Sequence, residues 1–180
     1  HVVVATCTGF MSPGIDFAIA RALGLPPTVG RTLLGFMGCH AAINATRAGR
    51  DAVRATGEKQ STALVVCVEL CTLHFQHGMG RDVLVPNSLF ADGAAAWVLT
   101  SRNYYNKKPR IIGIRSFFLG EETREKMSWS IGNHGFRMTL ASDVPEVLAR
   151  ECPAAIIGFL ESCDIKLGSG PDWAIHPGGP

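Results

Sequence analysis

The sequence lacks several features that would place it in a special class of protein. Its 17 Lys and Arg against 15 Asp and Glu leave a net charge of only +2, which gives no support for nucleic-acid binding or for a polybasic membrane patch. Its apolar runs are far shorter than the ~20 residues that a spanning helix needs, and no signal-peptide pattern opens the chain. We therefore predict neither nucleic acid nor membrane as a partner, and a cytoplasmic location.

Cysteine is also too scarce for a disulfide-built domain. The six cysteines contain no Cys-x-x-Cys pair, so no metal site is predicted. Cys67 and Cys71 are four residues apart in a β-branched run, and this spacing predicts one face of a strand rather than metal ligands. The default interpretation of these thiols is core residues in a reducing cytosol, with Cys39 as the exception.

What the chain does contain is the composition of a compact α/β protein, with 47% hydrophobic and 18% charged residues. Strand-like and helix-like segments alternate, which predicts a layered α/β/α fold. Strands are predicted at 2–6, 63–70, 94–99, 111–117 and 173–176, a short strand or approach segment at 32–34, a hairpin across 129–140, helices at 15–23, 39–56 and 143–163, and a loop at 74–88. Asp143 is predicted to cap the last helix, with Glu146 at the capping-box position.

The best candidate boundary in the chain is the polar segment 101–110, which has four basic and no acidic residues. It separates residues 1–100 from residues 111–180. The chain starts at His1 inside an apolar run and stops at Pro180 directly after His-Pro-Gly-Gly, and from these ends we expect a fragment of a longer protein.

Gly38-Cys39-His40 is the sharpest candidate for chemistry, at the junction of an apolar segment and a helix. The positive end of a helix dipole and unpaired N–H groups favour a thiolate there, and a nucleophile needs a thiolate. The alternative is a small buried cysteine that begins a packed helix. His40 points away from its neighbour, so a base must come from elsewhere. His176 ends an apolar segment, where α/β sheets commonly have their sites.

Five motifs, in order along the chain, carry a family resemblance. They are Cys-Thr-Gly-Phe at 7–10, Gly-Phe-Met-Gly-Cys-His-Ala-Ala at 35–42, Val-Glu-Leu-Cys-Thr-Leu-His-Phe at 68–75, Leu-Phe-Ala-Asp-Gly-Ala-Ala-Ala at 89–96 and Trp-Ala-Ile-His-Pro-Gly-Gly-Pro at 173–180. Together they resemble the type III polyketide synthases, the chalcone and stilbene synthase-like branch of the thiolase superfamily. The resemblance implies an incomplete thiolase-like α/β/α fold with parts of both halves: 1–100 carries the nucleophile, 101–110 is a connector, and 111–180 begins the C-terminal half.

The resemblance also implies an activity. Such enzymes are homodimeric acyltransferases that need no cofactor beyond their coenzyme A thioester substrates. Cys39 would carry an acyl group taken from acyl-CoA, which is extended with malonyl-CoA by decarboxylative Claisen condensation and then cyclised. His176 would pair with the thiolate and donate to the thioester oxygen, and Phe90 would screen the site and favour decarboxylation. The family's catalytic Asn lies beyond the His motif, and none of the Asn in this chain is in the right context.

Further residues bear on the starter group. Met138 falls where chalcone-type enzymes have a second pocket aromatic. The stretch from Trp129 to Phe136 resembles bacterial alkylresorcinol and alkylpyrone synthases, as do Cys71 and His74 in the segment that lines the starter pocket. These likenesses favour a fatty acyl starter and products of the alkylpyrone or alkylresorcinol type. Those enzymes usually carry Asp where Asn133 stands, and the sequence assigns no consequence to this change.

Three other functions stay open at this point. An initiating ketoacyl-acyl carrier protein synthase uses the same catalytic residues, Cys, His and Asn, but takes a carrier-protein substrate. Cys39 and His176 could also serve a cysteine hydrolase, in which water attacks the acyl-enzyme. The third is a non-catalytic remnant that binds coenzyme A or a partner subunit.

Overall fold

The computed structural model describes residues 1–57, 60–102, 108–133 and 135–176. They form two compact units, one of His1–His74 with Phe90–Pro109 and one of Phe75–Leu89 with Arg110–Pro180. Most of the predicted boundary segment, at 103–107, lies outside the described residues, as do the hairpin position 134 and the end of the His motif at 177–180.

The first unit is built on a four-stranded sheet in the order β2-β1-β3-β4. β1 is parallel to both of its neighbours, and β4 is antiparallel to β3. The elements in chain order are β1 (Val2–Thr6), α1 (Ile15–Ala22), β2 (Arg31–Gly35), α2 (Ala41–Ala55), β3 (Thr62–Glu69) and β4 (Gly93–Thr100). β1 is central and wholly buried, which explains why its sequence is a continuous apolar run.

The two helices of this unit cover opposite faces of the sheet. α2 packs through Ala41 and Ala45 against Val3, Ala5 and Val65. Side chains alternate between the faces of a strand, so Arg31 and Leu33 of β2 lie on the other face. There Arg31 Nη1 binds Asp16 Oδ2 of α1 at 2.6 Å. The first unit therefore has the layered α/β/α arrangement that the alternation of segments predicts.

The approach of α2 to the sheet depends on small residues. A Cβ atom placed on Gly49 would lie 2.9 Å from Val65 Cγ2 and 3.0 Å from Leu99 Cδ1. Real Cβ atoms do not come so close, so a larger residue at this position would push α2 away from the sheet.

One edge of the sheet gathers several loops. β1, β2 and β3 are parallel and end at Thr6, Gly35 and Glu69, so their carboxyl ends lie side by side. β4 runs the other way and begins at the same edge, where Gly93 is paired with Glu69. The residues that follow the three parallel strands and those that precede β4 are thereby brought to one place.

The second unit contains two helices and a hairpin in its described residues. Its elements are α3 (Arg81–Leu89), β5 (Met127–Gly132), β6 (Gly135–Leu140) and α4 (Val144–Ser162). β5 and β6 are antiparallel, with Trp129 opposite Met138. Asn87 of α3 donates through Nδ2 to the carbonyl of Gln76 at 2.7 Å, and Gln76 Nε2 donates to the carbonyl of Phe136 at 3.4 Å. These bonds fix α3 beside β6.

Three predicted elements are wrong. The predicted loop at 74–88 instead contains α3, which was missed because Pro86 lies inside it. Residues 111–117 and 173–176 are not strands. A strand exists only as part of a ladder with a neighbour, and within the described residues the sheet of the second unit is the β5–β6 hairpin alone.

Two local predictions are also corrected. β3 ends at Glu69, so Cys71 lies in the following 3₁₀ turn and not on a strand face with Cys67. Asp143 precedes α4 without a side-chain capping bond. Its Oδ2 accepts a hydrogen bond from Lys126 Nζ at 2.5 Å, because an ammonium group is a stronger partner for a carboxylate than a backbone N–H.

Candidate active site

Cys39 lies at the sheet edge where β1, β2 and β3 end, in a 3₁₀ turn (Gly38–His40) between β2 and α2. Phe36 and Gly38 have φ values of 57° and 70°. This left-handed conformation is easy for glycine and uncommon for a residue such as Phe36. The two positive φ values lie two residues apart, and they turn the chain sharply from the strand into the helix. The Cys39 side chain is exposed, so the alternative of a buried packing cysteine does not fit the structure.

The carboxylate of Glu69 organises the loop beside this turn. It accepts hydrogen bonds from the Cys7 N–H at 2.9 and 3.1 Å, from the Thr8 N–H at 3.1 Å and from the Thr8 hydroxyl at 2.5 Å. Thr8 Oγ1 in turn accepts from the Leu70 N–H at 2.7 Å. Cys7 completes the connection, because its Sγ accepts a hydrogen bond from the Gly38 N–H at 3.2 Å. Glu69 is thus linked, through Cys7, to the residue before Cys39.

The same carboxylate affects the titration of the thiols. Partial desolvation raises the pKa of Cys39, the negative charge of Glu69 raises it further, and a hydrogen bond from the backbone N–H of Cys39 acts in the opposite direction. The pKa values of Cys7, Cys67 and Cys71 are raised too, chiefly by desolvation and with a contribution from Glu69. Desolvation and a like charge thus oppose the ionisation that the helix N-terminus is predicted to favour, and the thiolate at Cys39 stays a prediction.

The turn after β3 carries two of the predicted pocket residues. Cys71 and His74 are the first and last residues of the 3₁₀ turn Cys71–His74, and both are half-buried. His74 Nε2 is 2.7 Å from the carbonyl oxygen of Thr8. A carbonyl oxygen can only accept, so His74 donates from Nε2 and fastens the turn to the loop that follows β1.

Phe90 reaches the same edge from the other direction, just before β4, and is half-buried. Two residues later, Asp92 accepts the Thr72 N–H with Oδ1 at 2.8 Å and the Thr72 hydroxyl with Oδ2 at 2.7 Å. These hydrogen bonds lower the pKa of Asp92. The first unit therefore brings Cys39, Cys71, His74 and Phe90 to one edge of its sheet.

The other predicted residues belong to the second unit. Trp129 and Met138 are directly opposite on β5 and β6, and the Trp129 ring stacks on Phe136 with a centroid separation of 5.5 Å. Asn133 is exposed in the hairpin turn. His176 is exposed in a segment without helix or strand. The structure thus joins Trp129 with Met138, while His176 lies on a different unit from Cys39.

Sequence reasoning missed Glu69, Thr8 and Asp92. Their signal was available in part: Thr8 lies two residues after β1, Glu69 is the last residue of β3, and the parallel strands end at one edge of the sheet. What the sequence does not show is that Glu69 reaches back 62 residues to the Cys7 N–H.

The part of the chain that the structure describes contains neither a cluster of metal ligands nor a membrane-spanning helix. Over the described residues, no three His, Cys, Asp or Glu side chains are grouped so that they could hold a metal ion. None of the helices in that part of the chain combines the length and the apolar character needed to cross a membrane.

Comparison with known proteins decides the family. The sequence profile described as "Chalcone and stilbene synthases, N-terminal domain" matches residues 1–103. The chain belongs to this family. It is 35% identical over 182 residues to the alpha-pyrone synthesis polyketide synthase-like Pks18 of Mycobacterium tuberculosis, an alignment that covers 99% of this chain and 46% of that protein. The chain thus spans about half the length of the curated relatives it matches.

Solved structures of type III polyketide synthases share the fold. PKS-I from the brown alga Ectocarpus siliculosus superposes with a TM-score of 0.88 at 33% identity, covering 99% of this chain and 47% of that one. The 1,3,6,8-tetrahydroxynaphthalene synthase of Streptomyces coelicolor gives a TM-score of 0.78 at 26% identity, covering 96% and 48%. The family resemblance and the thiolase-like α/β fold predicted from the motifs are confirmed.

Proposed function

We propose that the protein carrying this chain is a type III polyketide synthase that uses Cys39 as its acyl-carrying nucleophile. The observation that carries the proposal is the position of Cys39. It is an exposed thiol in a strand–turn–helix junction, within a unit whose sequence matches the N-terminal domain of the family. Strand ends of this kind are where α/β folds hold reactive groups.

The first step is a transfer between thioesters. The Cys39 thiolate attacks the carbonyl carbon of an acyl-CoA, the bond from that carbon to the CoA sulfur breaks, and CoA leaves as a thiol after taking up a proton. Malonyl-CoA then loses CO₂, and the electron pair left on its α-carbon attacks the acyl group on Cys39. The new carbon–carbon bond forms as the Cys39 thioester breaks, which leaves the extended acyl group on CoA and returns the Cys39 thiolate.

His176 is proposed as the group that makes Cys39 reactive. Desolvation and Glu69 raise the pKa of Cys39, so a thiolate requires a compensating positive charge. An imidazolium supplies that charge in an ion pair and can also donate to the thioester oxygen, where negative charge develops. Phe90 is proposed to screen the site, because an apolar wall favours neutral CO₂ over the charged carboxylate of malonyl-CoA.

The starter is proposed to be a fatty acyl-CoA, with alkylpyrone or alkylresorcinol-type products. Support comes from the 35% identity to a protein named for alpha-pyrone synthesis. Cys71, His74, Trp129 and Met138 are proposed to line the starter pocket. The homodimer, the cytoplasmic location and the division into 1–100, 101–110 and 111–180 belong to the same proposal.

The test uses the purified protein that carries this chain, incubated with fatty acyl-CoA alone and then with labelled malonyl-CoA. We expect an acyl adduct on the Cys39 peptide by mass spectrometry and label in a pyrone or resorcinol product. Cys39→Ser should lose both, whereas Cys152→Ser, a half-buried thiol on α4, should retain both. Hydrolysis of acyl-CoA without malonyl incorporation would instead indicate a cysteine hydrolase, and a need for a carrier protein would indicate a ketoacyl synthase.

A further inference from the structure

A single carboxylate ties together two loops at the edge of the first unit. Asp92 uses both of its oxygens on one residue, with Oδ1 accepting the backbone N–H of Thr72 at 2.8 Å and Oδ2 accepting its hydroxyl at 2.7 Å. The two residues are 20 positions apart in the sequence. Two bonds to one partner fix both a distance and an orientation, which a single bond does not.

Each loop carries a residue of the proposed active site: Cys71 of the starter pocket in one, and the screening residue Phe90 in the other. Thr72 directly follows Cys71, and Asp92 comes two residues after Phe90. The last residue of the turn Cys71–His74 is fastened to the loop after β1, because His74 Nε2 donates to the carbonyl of Thr8 at 2.7 Å. The last pair of the β3–β4 ladder is Glu69 with Gly93, so beyond it the bonds between Asp92 and Thr72 join the loop that holds Cys71 to the one that holds Phe90.

Resting on the function proposed above, we propose that Asp92 and Thr72 are a specificity-determining pair that sets the separation of Cys71 and Phe90, and thereby the length of acyl chain that the enzyme accepts. Neither residue contacts the reacting atoms in this mechanism, so both act as positioning residues. A hydrophobic pocket separates substrates that differ by one methylene by roughly tenfold or more, so a small movement of one wall changes the preferred starter.

The variants follow from the two bonds. Thr72→Ala removes the hydroxyl donor and leaves the backbone N–H in place, and Thr72→Ser restores a hydroxyl at the same position. Asp92→Ala removes both acceptors. Thr28→Ala is the matched control, since Thr28 is another exposed threonine in a turn of the same unit.

The first measurement is independent of acyl chemistry. The labelling rate of Cys71 by N-ethylmaleimide, followed on its peptide by mass spectrometry, reports how firmly the turn is held. We expect Thr72→Ala and Asp92→Ala to raise this rate about threefold or more, with Thr72→Ser and Thr28→Ala close to the unaltered protein.

The second measurement is a competition between short and long fatty acyl-CoA starters at equal concentration, with the products separated by mass. We expect Thr72→Ala to shift the product ratio about threefold or more, mainly through the KM of each starter, and Thr72→Ser to restore it. Thr28→Ala should leave the ratio unchanged.

Several outcomes overturn the inference. An unchanged ratio in Thr72→Ala, even with faster labelling of Cys71, would show that the bond serves structure only. A ratio that Thr72→Ser does not restore would show that the hydroxyl is irrelevant. If Asp92→Ala does not fold, the Thr72 pair of variants still decides the question. Failure of the proposed function is seen separately, as an unaltered protein that forms neither acyl-Cys39 nor product, and the inference then falls with it.

Discussion

Glu69→Gln is the substitution that tests the electrostatics of the candidate site most directly. Glu69 contributes to raising the pKa of Cys39, because a negative carboxylate repels a negative thiolate. Glutamine keeps the size of the side chain and one carbonyl oxygen but removes the charge. The pKa of Cys39 should therefore fall, and the thiolate fraction at neutral pH should rise.

The size of the effect can be worked from the contacts of Glu69. A like charge felt across a partly hydrated site is worth on the order of 1 kcal/mol, a factor of about five in the thiolate fraction. The carboxylate also serves three donors, the Cys7 N–H, the Thr8 N–H and the Thr8 hydroxyl. A buried donor that loses its hydrogen-bond partner costs about 1–3 kcal/mol of stability. These donors are half-buried, so the low end of that range applies to each of them. Glu69→Ala should thus lower the free energy of unfolding by about 3 kcal/mol, and Glu69→Gln by about 1 kcal/mol.

The assay is the rate of alkylation of the Cys39 peptide by limiting iodoacetamide as a function of pH, in the protein that carries this chain. Glu69→Gln should react about fivefold faster than the unaltered protein below the pKa of Cys39, with the two rates converging at high pH. Asp51→Asn is the control, because Asp51 is an exposed carboxylate on α2 paired with Arg50. It should leave the profile in place.

The reasoning would be refuted by a folded Glu69→Gln protein whose Cys39 reacts at the same rate or more slowly over the whole pH range. Circular dichroism on each variant separates this result from loss of structure. A faster reaction of all six cysteines alike would also contradict it, since general loosening and not the removal of one charge would then be the cause.

Three other substitutions or conditions test the remaining conclusions. His176→Gln should lower the condensation rate by on the order of 10²–10³, measured as labelled product from malonyl-CoA, since it removes the proposed donor to the developing oxyanion. Gly49→Val should lower the free energy of unfolding by about 2 kcal/mol in urea titrations, because its side chain would collide with Val65. The free energy of unfolding should also fall as the pH rises from neutral toward about 10. The pKa values of four thiols in the first unit are raised by folding, so the unfolded chain releases these protons at a lower pH than the folded one. In urea titrations at several pH values, Glu69→Gln should make this decline less steep.

The elements that could be predicted from the sequence are those whose signal is local. β1 is a continuous apolar run because helices cover both faces of its sheet, and α2 is recognised by its small residues at helical spacing. α3 was missed because Pro86 is a local signal against a helix, which the neighbouring residues override. Residues 111–117 have the composition of a strand, but a strand also needs a partner, and composition contains no information about the partner.

The candidate site divides in the same way. Cys39 is predictable from the glycines that flank it and from the helix that follows, both of which are local. The raised pKa of Cys39 is not, because it depends first on desolvation in the packed unit. It depends next on Glu69, a carboxylate 30 positions later in the sequence that the pairing of β1 with both β2 and β3 brings near. A local argument from the helix dipole contains neither contribution.

Glu69 has two opposing effects on Cys39, the proposed nucleophile. Replacing it removes a repulsive charge, but it also releases Cys7 and Thr8, and the Cys7 sulfur is the acceptor for the Gly38 N–H next to Cys39. The carboxylate therefore fixes the place of the thiol while opposing its ionisation. A positive charge close to Cys39 would offset the charge of Glu69 and favour the thiolate. In the proposed function the His176 imidazolium supplies that charge, so we expect His176→Gln to slow the alkylation of Cys39 by iodoacetamide at neutral pH.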